Sequence, residues 1–159
     1  MTTPSAPPPQ QLPIEAQWCL EATSLKPSSA PCIQLEVART PQQQSWGLMG
    51  RPPLAPLRGM WFPYDQPQVL KFWMHHTPSP LDMLFIRDRR VIAIEANATP
   101  CPRLPCRSYG PDEVADSVVE LAAGEAIRLG IRVGSSALVS PFRPLIPQPG
   151  ARPATPARD

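Results

Sequence analysis

Apolar and polar positions begin to alternate at Ile14: Ala16, Trp18 and Leu20 share one side, and Ile33, Leu35 and Val37 alternate with Gln34 and Glu36. A period of two marks half-buried strands, so two strands are predicted, joined by the Ser/Pro-rich stretch from Thr23 to Pro31. The pattern then changes. Thr40, Pro41 and Gln43 supply an N-cap, a proline at the first helical position and the reciprocal partner of a capping box. A short helix over 41–49 is expected, stopped by Gly50, with Trp46 and Met49 on its inward side. Beyond Pro52, Pro53 and Pro56 come four apolar stretches, Gly59–Phe62, Val69–His75, Leu81–Ile86 and Val91–Ala96, each too short for a helix. The polar link Arg87–Arg90 predicts that the last two pair as a hairpin. A proline-rich loop over 99–112, a strand over Val118–Leu121, helical turns over Gly124–Leu129 closed by Gly130, and a last strand over Val133–Val139 complete the pattern. The expected fold is mainly β: a compact, single-domain antiparallel barrel or sandwich with one or two short helices.

Composition adds boundaries to this pattern. The chain has 159 residues and 25 Pro, with five Pro in residues 1–14 and six in 141–159. These end segments carry too few apolar groups to offset their ordering entropy. The predicted organisation is a disordered Pro-rich tail over 1–14, a β-rich domain over 15–140 and a disordered Pro/Arg tail over 141–159. The domain holds 12 basic and 12 acidic residues, so the net charge of +2 belongs to the C-terminal segment. A neutral domain without a Lys/Arg cluster argues against nucleic acid as a partner. No apolar run approaches the ~18 residues of a membrane span, and no leader pattern is visible. The expected location is cytoplasmic on that ground, or the cell envelope if the true start lies upstream.

Four segments stand out together: Ser45-Trp46-Gly47-Leu48-Met49-Gly50-Arg51; Gly59-Met60; Phe72-Trp73-Met74-His75-His76-Thr77 followed by Pro80-Leu81-Asp82-Met83; and Val119-Glu120-Leu121 with Gly124 and Gly130. In this order and spacing, over roughly residues 34–139, they resemble the prokaryotic family known as domain of unknown function 192. The resemblance implies a β-rich single domain, often exported in relatives, with no established activity. Relatives commonly carry Lys-Asn-Thr where this chain reads His75-His76-Thr77. If the Asn side chain serves chemistry in them, His76 replaces it here or the function has drifted. Cys101 and Cys106 look like a subgroup feature.

Candidate chemistry starts at Asp82. On a strand it shares a face with Leu84 and Ile86, opposite Leu81, Met83 and Phe85. An unpaired carboxylate in such a row costs several kcal/mol, and Arg51 is the expected partner. The pair is read either as a structural ion pair or as an acid/base group with an anion clamp. His75 and His76, the two histidines, should point to opposite faces if the strand continues, which argues against one shared metal and leaves each as a candidate proton carrier. Gly47, Met49, Arg51, Trp73, Thr77 and Asp82 form the candidate ligand groove; plain core filling is the alternative for Trp73 and the methionines.

The four cysteines permit two disulfides, Cys19–Cys32 and Cys101–Cys106, free thiols, or a zinc site that includes Cys101 and Cys106. There is no Gly-rich phosphate loop, nucleophile elbow or His-Glu-x-x-His segment. No cofactor is therefore expected. The functional expectation is a small binding or accessory domain with a groove near Arg51, Trp73 and Asp82, for a small molecule or a protein. An acid/base or hydrolytic enzyme using Asp82 with His75 or His76 is the alternative, and a zinc or redox-responsive domain the third.

Overall fold

The computed structural model describes residues 6–21 and 30–144. Residues 1–5 of the expected tail over 1–14, residues 145–159 of the expected tail over 141–159, and most of the connection at 23–31 lie outside the described residues. The elements are β1 (Ile14–Cys19), β2 (Cys32–Val37), α1 (Pro41–Trp46), β3 (Arg58–Val69), β4 (Leu81–Arg87), β5 (Arg90–Ala98), β6 (Val114–Ala122), α2 (Glu125–Arg128) and β7 (Val139–Pro141). The seven strands form one sheet in the order β5-β4-β6-β3-β2-β1-β7. Every neighbouring pair is antiparallel except β2–β3, which runs parallel.

Alternation along the strands divides the interior into two layers. Val119 and Leu121 of β6 join Leu84, Ile86, Trp18, Ile33 and Leu35 in one cluster. Val118 joins Met60, Phe62, Met83 and Phe85 in the other. The second layer is covered by Leu48, from the turn after α1, and by Leu70 and Met74. Gly59 lets β3 and β6 approach closely, since a Cβ there would sit 2.7 Å from the Leu121 side chain. The sheet is not a closed barrel. Residues 134–137 bond along β5, through Gly134 N to Val91 O and Ala137 N to Arg89 O, before β7 pairs with β1. One segment thus spans from edge to edge over the first layer, a sandwich-like arrangement.

Local signals explain most boundaries. Thr40 accepts from Gln43 N, and the Gln43 side chain accepts from the Thr40 backbone, as a capping box requires. The helix ends at Trp46 instead of residue 49, because Gly47 adopts φ +45°. Asp88 and Arg89, at φ +50° and +63°, make the two-residue turn of the β4–β5 hairpin. Two expected strands are shorter. β3 runs to Val69 through an irregularity between Pro63 and Gln68, and the following residues make isolated bridges, Phe72 with Tyr109 and His75 with Cys101. Gly134, at φ +93°, breaks the expected strand over 133–139 and leaves only β7. Cys19 and Cys32 face each other across β1 and β2 and are disulfide-bonded, as are Cys101 and Cys106.

The stretch before β1, assigned above to a tail, is tied to the domain. Gln10 Nε2 donates to the carbonyls of Gln43 and Gly47, both at 2.9 Å, and Leu12 N donates to Glu36 Oε1 at 2.9 Å. Pro9 lies over Gly50. A chain starting at residue 15 is therefore expected to be less stable than one starting at residue 6 by about 2 kcal/mol, from the loss of two or three partly buried hydrogen bonds. Thermal melting of the two truncations checks this.

Candidate functional site

The turn after α1, the middle of β3, the irregular segment 71–77 and the centre of β6 enclose a pocket of about 380 Å³. Its walls carry Phe62, Tyr64, Phe72 and Trp73. Phe62 and Phe72 meet edge to face at 5.2 Å, which fixes both rings. Trp73 stands at the mouth, 46% exposed. Gln44 anchors the helical wall to β3 by donating to Pro63 O at 2.8 Å and to Ala38 O at 3.1 Å. Gly47 leaves the floor open: a Cβ there would lie 3.3 Å from the Phe62 ring and 3.8 Å from Glu120 Oε1.

Glu120 forms the base. Strand alternation sends it toward Met60 and Met83, its cross-strand neighbours, and into the aromatic pocket. It is 4% exposed. The other buried acids all have partners. Glu36 pairs with Arg51 at 2.6 Å, Glu125 accepts from Arg128 and from Leu57 N, and Asp82 accepts three backbone N–H groups. Among the described residues Glu120 alone of these acids has none, and burial pushes its carboxyl up to about 8. Tyr64, half-buried beside that carboxyl, is pushed up to about 12, chiefly by burial and further by the Glu120 charge. The arrangement offers one proton-exchanging carboxyl at the bottom of an aromatic cleft.

Four of the residues expected in a groove line this pocket: Gly47, Met49, Trp73 and Thr77. Arg51 and Asp82 do not, and they do not pair. The Arg51 guanidinium is held by Glu36, on β2, at the end nearest the N-terminal stretch. Asp82 is 1% exposed, and its carboxylate binds the amides of Asn97, Gly124 and Ala126 at 2.9–3.0 Å. It does share the Leu84 and Ile86 face, where those amides supply what Arg51 was expected to give.

The histidines also differ from expectation. The strand does not continue through them, and His76 adopts φ +57°. The backbone turn brings both imidazoles together, with ring centroids 3.8 Å apart and His75 5.1 Å from Trp73. His75 Nδ1 lies 3.2 Å from Cys101 O, and His75, Cys101 and Cys106 cluster within 4.8 Å. With both sulfurs in one disulfide, that cluster offers a single donor nitrogen instead of the thiolates of a zinc site.

Sequence reasoning missed Glu120 and Tyr64 as site residues. The available signal was one acidic residue inside the apolar run Val118–Leu121, at a strand centre.

The sequence profile of domain of unknown function 192, described as an uncharacterized ACR, matches residues 23–138. The chain belongs to this family. Two solved structures resemble this domain of unknown function 192 protein. One, from Sinorhizobium meliloti and described as a candidate transcription regulator, is 31% identical, with a TM-score of 0.66 covering 80% of this chain and 92% of that one. The other, a protein of unknown function from Novosphingobium aromaticivorans, is 30% identical, with a TM-score of 0.66 covering 88% and 99%. No match is found among curated proteins. Among the described residues, no helix is long and apolar enough to cross a membrane.

The state of Glu120 sets a pH signature. Its carboxyl holds a proton up to about 8 in the folded chain, against 4.5 for the ordinary group. The folded state therefore binds more protons than the unfolded state between those values, and stability falls as pH rises through them. Glu120→Gln is expected to abolish this component. Wild-type unfolding free energy should fall relative to the variant by up to about 1.4 kcal/mol per pH unit between pH 5 and 8. Urea unfolding of both proteins at several pH values tests the slope.

Proposed function

We propose that the chain is a small-molecule-binding module whose ligand enters the pocket beneath Trp73 and contacts Glu120. The observation that carries the reading is Glu120, among the described residues the one buried acid without a partner, placed at the base of the aromatic cleft. Burying an unpaired carboxyl is unfavourable for folding, so a site that keeps one open to a cavity is accounted for by what the cavity receives. An exposed Trp at the rim adds a flat apolar surface that a monomeric fold gains nothing by displaying.

The balance of 12 basic and 12 acidic residues in the domain supports a partner other than nucleic acid. The regulator description therefore stays with the Sinorhizobium protein. Acid–base catalysis is the second reading, favoured by one observation, that Glu120 titrates at about 8, near a working pH. It ranks second because, among the described residues, no group hydrogen-bonds to Glu120 to act with it, and because Asp82 is sealed and bound to backbone amides.

A thermal-shift and native mass spectrometry screen of small metabolites, run on wild type and Trp73→Ala, tests the binding reading. Ligands are expected to bind the variant at least tenfold more weakly, while Leu104→Ala, at another exposed apolar position, leaves them unchanged. Equal binding by Trp73→Ala would place the ligand elsewhere.

A further inference from the structure

We propose that the pocket's ligand is a small organic cation, an alkylated ammonium group seated on the Glu120 carboxyl and walled by Phe62, Tyr64, Phe72 and Trp73. This inference rests on the pocket reading above and adds the ligand's chemistry.

Charge balance is the first argument. The basic side chains near the pocket are already engaged. Lys71 lines it, but its Nζ donates to Gly110 O at 2.6 Å and pairs with Asp112 at 3.0 Å. Arg51 is held by Glu36. Among the described residues no positive group pairs with Glu120, and the missing counter-charge falls to the ligand. An anion would meet an acid at the base and no unengaged cation. A bare divalent metal would find one carboxyl where such ions take several oxygen ligands.

The walls are the second argument. Aromatic faces attract cations through their quadrupole, most strongly with Trp and most strongly when water is excluded. Four rings around one acid provide that attraction on several sides, and an alkylated ammonium presents C–H surface that rings can cover. Gln44, Ser45 and Thr77 also line the pocket, so the preference for an alkylated over a primary ammonium rests on the ring faces and the C–H surface they cover.

Binding such a cation moves one proton. The neutral Glu120 carboxyl loses its O–H proton to the buffer, and the resulting carboxylate faces the ligand's fixed positive charge. Affinity must then rise with pH while the free carboxyl is protonated, and level off above about 8. The groups facing Glu120 are few. Met60 from β3 and Met83 from β4 are neutral, Tyr64 stays protonated below about 12, and Lys71 is tied to Asp112. His75 lies behind Trp73 and is present equally in Glu120→Gln, so the variant's profile subtracts any imidazole contribution.

Calorimetric titration with tetramethylammonium, choline and the neutral choline isostere 3,3-dimethyl-1-butanol decides the matter, because the charge on the first two does not vary with pH. Choline or tetramethylammonium is expected to bind wild type. Affinity should increase about tenfold from pH 6 to 7 and flatten above pH 8, with nearly one proton released at pH 7. The isostere should bind at least tenfold more weakly at pH 9. Glu120→Gln should lose both the cation preference and the pH dependence, whereas Trp73→Ala should weaken binding and keep the pH profile. Equal binding of the isostere, a flat profile from pH 6 to 9, or no binding of either cation at millimolar concentration would overturn the cation assignment. The pocket reading would still stand or fall separately on the Trp73→Ala screen.

Discussion

Three backbone amides converge on the Asp82 carboxylate, and much of the domain's architecture depends on that convergence. Asp82 lies near the start of β4, and its two oxygens reach Asn97 at the end of the β4–β5 hairpin and both Gly124 and Ala126 at the turn into α2. α2 is four residues long, too short to persist on its own propensity, and Gly124 enters it at φ +89°. A buried carboxylate accepting several N–H groups fixes both the hairpin end and the turn, and each amide would be left unsatisfied without it. The carboxylate is held by three amides from two separate parts of the chain.

Glu120 is the counterpart, one residue off register on the neighbouring strand and facing the other layer. Met83 stands opposite Glu120 and Asp82 opposite Leu121, so alternation separates the two acids by the thickness of the sheet. Asp82 is surrounded by donors, while Glu120 is surrounded by rings and methionines. The same chemical group is structural on one side and unpaired on the other. Burial alone does not distinguish them; the presence of donors does.

The pocket is built where regular structure stops. Gly47 ends α1 early, and residues 70–77 leave the sheet after β3 and pair through isolated bridges with Tyr109 and Cys101 of the loop between β5 and β6. These two irregular stretches place Trp73 and Thr77 over β6, and the sheet beneath supplies a rigid floor. Fixed strands with variable connections above them commonly carry binding functions. The N-terminal stretch adds a clamp, since Gln10 bonds to both Gln43 and Gly47 at the end of the helical wall.

Much of this was legible in the residues alone because it is local. The period of two marked β1, β2, β4 and β5; Thr40-Pro41-Gln42-Gln43 specified the capping box; the polar stretch Arg87–Arg90 marked the hairpin, whose turn is Asp88-Arg89; and Asp82 falls on the predicted face. The family-like segments also pointed to Gly47, Met49, Trp73 and Thr77. Partnerships between distant residues were not legible. Arg51 joins Glu36 because β2 passes beneath the turn after α1, and amide donors from 97, 124 and 126 took the place expected for a guanidinium. The imidazoles lie against each other because a positive φ at His76 turns the backbone. Alternation gave Glu120 a side, but only the packing of residues 44–49 and 71–77 made that side a cavity instead of a sealed core. Local sequence determines where a side chain points along its element, and tertiary packing decides what it meets there.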